Sequence, residues 1–74
     1  MPSKYIEFSD DTPQGKSTKV ITITASISRE IIGIIKWSLS SKQYAFFPEA
    51  NTFWTSETLG DVGRKITELT ANEF

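Results

Sequence analysis

The chain has no cysteine and no histidine. The first absence removes disulfides and thiolate metal sites, and the second removes the commonest general base and metal ligand. Net charge is nearly absent as well, with eight Lys plus Arg against nine Asp plus Glu. That balance excludes a strong overall field for nucleic acid or an anionic membrane, while leaving room for a local basic patch. No apolar run approaches the roughly 20 residues of a membrane span. The opening Met1-Pro2-Ser3-Lys4 lacks a signal-peptide pattern, so the expectation is a cytoplasmic protein without a membrane partner. At 74 residues the chain reads as one domain, 1–74. A domain of this size buries only about 60% of the surface its unfolded chain exposes. Stability must then come from the apolar core, with oligomerisation as an optional further source.

The same absences bear on catalysis. Without histidine no side chain stands ready to activate a Ser or Thr hydroxyl. Asp10 and Asp11 are neighbours, which in an extended segment point to opposite sides, against paired-carboxylate chemistry. Glu57 and Asp61 are four apart on a predicted helix and read as a solvated pair rather than a calcium or magnesium site. Gly60 and Gly63 fall inside that helix, so they do not form a phosphate-binding loop. The chain is read as non-enzymatic, with no catalytic residue, metal or cofactor.

What is present is a strand pattern followed by a helix pattern. Lys4 to Phe8 alternates weakly and is a short first strand, and Ser9 to Lys16 is a loop marked by Pro13 and Gly15. Ser17 to Ile27 is the clearest strand, with Ile21, Ile23, Ala25 and Ile27 on one face and Thr22, Thr24 and Ser26 on the other. Ile31 to Leu39 follows, its alternation broken by Ile31, Ile32, Ile34 and Ile35, with Gly33 marking a bulge or a close approach. Gln43 to Phe47 is the next strand, closed by Pro48. Thr55 is the expected N-cap of a helix from Ser56 to Thr70, with Glu57 in its first turn and fraying from Ala71 onward. Trp54 and Leu59 stand at staple positions, and Leu59, Val62, Ile66 and Leu69 form one apolar stripe. Gly60 and Gly63 suggest either that a backbone or a bulky ring such as Trp37 or Trp54 packs closely on the helix, or that the helix is poorly optimised for stability. Short loops make consecutive strands antiparallel neighbours. The expected fold is α+β: a β-meander of three to four strands with one C-terminal helix on one face.

Chemistry concentrates on the central hairpin. Lys36, Trp37, Lys42, Tyr44 and Phe47 mix cations with rings and are the candidate binding residues. The plainer reading, favoured for so short a chain, has Trp37, Tyr44 and Phe46 filling the core. Strict alternation sets Ile35 and Trp37 against Ile34 and Lys36, and Tyr44 and Phe46 against Ala45 and Phe47. One set must meet the helix. The other must meet water, a partner or a second copy, because the apolar residues exceed what one small helix covers.

The strings Gly33-x-Ile35-Lys36-Trp37 and Tyr44-x-Phe46-Phe47-Pro48, then Thr52-Phe53 and a helix near Leu59, resemble a small family of uncharacterised bacterial and bacteriophage proteins. The resemblance runs from about Ile31 to Leu69, and it departs at Ser38 to Lys42, where such proteins often carry another tryptophan and arginine. It implies this fold and a phage or prophage accessory protein, with no assigned activity. In architecture alone, a three-stranded meander followed by a helix is similar to the DNA-binding domains of plant ethylene-response factors and the arm-binding domains of phage integrases.

The leading expectation is a non-enzymatic protein-interaction module, homo-oligomeric or bound to another protein, that uses the sheet face or an edge strand. The alternative is a nucleic-acid-binding domain using the face of the sheet, with Lys19, Arg29, Lys36 and Lys42 beside Trp37 or Tyr44.

Overall fold

Val20-Ile21-Thr22-Ile23-Thr24-Ala25 alternates β-branched residues between two faces, and in the computed structural model, which describes residues 5–73 and side chains 5–71, it is a strand. The elements in chain order are β1 (Ile6–Asp10), β2 (Val20–Ala25), β3 (Ile31–Ser38), β4 (Gln43–Pro48) and α1 (Ser56–Glu73). The four strands lie in the sheet order β1-β2-β3-β4 with every neighbour antiparallel. The protein is an α+β meander with one C-terminal helix.

Turn chemistry moves several expected boundaries. Asp10 caps the long connection, its carboxylate accepting from Thr12 N at 3.0 Å, while Thr12 Oγ1 accepts from Val20 N at 2.9 Å. The first strand therefore extends to Asp10, and the second begins at Val20 rather than Ser17; Lys4 lies outside the described residues. At the far end of β2 the chain turns over a bond from Arg29 N to the Ala25 carbonyl at 2.8 Å, with Arg29 at φ 64°. Ile27, expected on the inner face of a strand, is instead exposed at the tip of this turn. The β3–β4 turn repeats the construction, with Lys42 N bonded to the Ser38 carbonyl at 2.7 Å and Lys42 at φ 54°. Leu39 is lost from its strand in the same way.

The broken alternation of β3 is a bulge. Ile23 opposes Gly33 and Thr24 opposes Ile31, which leaves Ile32 without a cross-strand partner. The extra residue lets Ile31 face outward while Ile32 packs against the core. Gly33 also serves a close approach, because a methyl group there would stand 2.6 Å from Cε1 of Phe46.

The helix begins where its cap predicts. Thr58 N donates to Thr55 Oγ1 at 3.3 Å and Thr55 N donates to Thr58 Oγ1 at 3.1 Å, a reciprocal pair with threonine in place of the usual Glu. It continues to Glu73, through the segment expected to fray. Because Thr58 is drawn to the inner side by its cap, the buried stripe runs Thr58, Val62, Ile66, Leu69, and Leu59 is left half exposed. Ile6, Ile21, Ile23, Ile35, Tyr44, Val62 and Leu69 form the core, and Phe8, Ile32, Trp37, Phe46, Trp54 and Ile66 pack around it. Burying one such aliphatic side chain is worth about 1.5–3 kcal/mol. The ring expected over Gly60 and Gly63 is absent: a methyl group at Gly60 would meet Arg64 alone, at 3.7 Å, and one at Gly63 nothing within 4 Å.

Candidate interaction surfaces

Strand alternation sorts the candidate residues into two places. Trp37 and Tyr44 oppose each other across β3 and β4 and turn toward the helix. Their rings meet edge to face at 5.3 Å and 87°, and Tyr44, 3% exposed, accepts a bond from Lys19 N through its hydroxyl at 2.9 Å. Both therefore belong with the core. Phe46 stays on this side too, its ring 4.6 Å from that of Trp54.

Lys36 and Phe47 lie on the opposite face. Phe47 is 42% exposed, and Lys36 Nζ sits 5.0 Å from its ring centroid, within cation–π range. Ile34 is the direct cross-strand partner of Phe47, and Ile31, 55% exposed, lies on the same side past the bulge. Val20, Thr22 and Thr24 complete the face across β2. No element covers it among the described residues, since α1 lies on the other side. Lys42 is not part of this face; it sits in the β3–β4 turn, where its left-handed backbone closes the hairpin.

Two other candidate cations, Lys19 and Arg29, are paired elsewhere. Lys19 pairs with Asp10 at 3.4 Å and Arg29 with Glu7 at 3.6 Å. The hydrogen bonds from Thr12, with a lesser contribution from Lys19, hold the Asp10 carboxyl below the usual carboxylate range. On the helix, Asp61 is buried rather than solvated; Arg64 binds one carboxylate oxygen, and the other has no hydrogen-bond partner among the described residues. Glu57 stays at the surface, so the two carboxylates do not form the solvated pair that their spacing suggested. Among the described residues no three His, Cys, Asp or Glu converge on a common point. Among the described residues no helix is long and apolar enough to cross a membrane.

A second surface was not anticipated. Tyr5, Ile32, Phe53, Trp54 and Glu57 line a groove of about 660 Å³ between the β1–β2 end of the sheet and the start of the helix. Phe53 is 90% exposed at its lip. The one signal for it was Phe53-Trp54 itself, because adjacent rings in an extended segment face opposite ways and one is forced outward. Trp54 faces the core and anchors its indole N–H on Thr52 Oγ1 at 3.0 Å. No protein-family model matches the chain, and neither the curated proteins nor the solved structures contain a match.

Proposed function

We propose that this protein is a small non-enzymatic interaction module of the cytoplasm, a phage or prophage accessory protein that binds protein and associates with itself through the open face of its sheet. One observation carries the reading: a single helix covers one side, and the other keeps Ile31, Ile34 and Phe47 uncovered around Lys36. An apolar patch of this kind, rimmed by threonines and one cation, is the composition of a contact surface. A second copy is the natural occupant for a domain with so little core, because burying the face supplies stability that one chain lacks. The nucleic-acid reading draws less support. Trp37 and Tyr44 are turned inward and Lys19 and Arg29 are paired, which leaves Phe47 with Lys36 on the open face.

Light scattering after size exclusion, across protein concentration, tests the reading. Self-association beyond 8.3 kDa that Phe47→Asp weakens, lowering the average mass at a given concentration, is the expected result. A wild type that stays monomeric at every concentration overturns it. Salt-sensitive binding of labelled DNA or RNA would favour the alternative instead.

A further inference from the structure

The two edges of the sheet are not equivalent. Hydrogen bonds from Ser26 N to the Tyr5 carbonyl and from Asp11 N to the Val20 carbonyl place the odd-numbered residues of β1 in the ladder with β2. The N–H and C=O groups of Ile6, Phe8 and Asp10 therefore point away from the sheet. None of their N–H groups has a hydrogen-bond partner among the described residues. On the far edge, the bond from Glu49 N to the Ile32 carbonyl leaves Tyr44, Phe46 and Pro48 facing out. Pro48 has no N–H to offer, so that edge is blunted and β1 is not.

Charge is one guard of a bare edge, and on β1 the charges have partners within the chain. Glu7 is paired with Arg29, and the Asp10 carboxylate is held by Thr12 and Lys19.

From this we infer that β1 is a pairing edge for a second copy of the chain, joined antiparallel about a two-fold axis at Phe8 to give a continuous eight-stranded sheet. That register pairs Ile6 with Asp10 of the second copy and Phe8 with Phe8, so every outward backbone group of the strand is used. It sets Glu7 opposite Ser9 of the second copy, and no two like charges of the strand stand directly opposite each other. Moving the axis one residue either way opposes Glu7 to Glu7, or Glu7 to Asp11. The Phe8 rings become direct cross-strand neighbours on the helix side, each already capped by Lys65 Nζ at 5.8 Å from its centroid. The contact does not depend on the open-face reading, because Phe47 is on β4 at the opposite edge.

The native chain has no cysteine, so a mixed cross-link reads the register directly. Glu7→Cys and Ser9→Cys proteins, each also carrying Phe47→Asp to remove face contacts, are mixed and oxidised mildly. The mixture should yield a disulfide-linked dimer at several times the level of either protein alone, because positions 7 and 9 are directly opposed and neither position opposes itself. In the Phe47→Asp background Ser9→Glu should weaken dimerisation roughly tenfold through two like-charge pairs, and Ser9→Lys should strengthen it. Both positions are exposed, so folding is preserved and circular dichroism verifies it. Equal cross-linking in the mixture and the single proteins, or dimerisation indifferent to the charge at position 9, overturns the edge pairing and leaves the open-face reading standing.

Discussion

The two faces of this sheet are made by the same strands and differ in what alternate residues meet. On β3 and β4, Ile35, Trp37, Tyr44 and Phe46 meet the helix, while Ile34, Lys36, Ala45 and Phe47 meet solvent. The covered face is closed by interlocking rings and aliphatics. The open face is about as β-prone, but its apolar residues are interrupted by Lys36, Thr22 and Thr24. Burial rather than strand propensity separates stability from recognition here.

The sharpest way to break the comparison is a matched truncation on each face. Ile35→Ala should cost about 2–5 kcal/mol in urea unfolding, a large part of the about 4–11 kcal/mol expected for a domain of this length. Ile34→Ala, one residue away, should cost about 1 kcal/mol or less, and equal losses would mean that the open face is already covered in solution. Next in size is Gly33→Ala. Its methyl group collides with the Phe46 ring, which Trp54 holds in place, so a loss of about 1–3 kcal/mol is expected in the same assay. A smaller effect of opposite sign belongs to the helix. Gly63→Ala fills open space and should stabilise by up to about 1 kcal/mol. Arg29→Gly and Lys42→Gly should gain about 0.5–1 kcal/mol each by relieving left-handed backbone, observed as raised melting temperatures.

The smallest expected effect depends on pH. Asp10 has its pKa lowered in the folded state, so its contribution is present above the unfolded value of about 3.9 and fades as pH falls through the folded one. Melting curves of wild type and Asp10→Asn should therefore converge below about pH 4. Curves that run parallel across the acid range would show that the Thr12 contacts contribute nothing to folding.

Much of this arrangement was legible in the residues. Period-two alternation in β2 and the Thr55 cap placed a strand and a helix start correctly, because both signals are local. Alternation also divided Trp37 and Tyr44 from Lys36 and Phe47, although it could not say which set the helix would take. What escaped the reading depends on tertiary geometry. Ile27 looks like a strand residue until the Arg29 turn removes it, and Leu59 looks like a stripe residue until Thr58 rotates the helix. The groove is built from Tyr5, Ile32 and Phe53, three segments with no sequence proximity. Gly60 and Gly63 mimicked a packing motif that the structure does not use.

The two tryptophans occupy separate aromatic pairs, Trp37 against Tyr44 and Trp54 against Phe46. That separation gives the molecule two native optical reporters. Trp37 sits on β3 beside its turn, and Trp54 stands just before the helix. With Trp37→Phe, emission reports the Trp54–Phe46 contact at the helix start; with Trp54→Phe, it reports the Trp37–Tyr44 pair on the hairpin. Coincident denaturation curves from the two would mean that sheet and helix form as one cooperative unit. Separated curves would mean that the helix can lift from a sheet that still holds its register, exposing both faces of the meander at once.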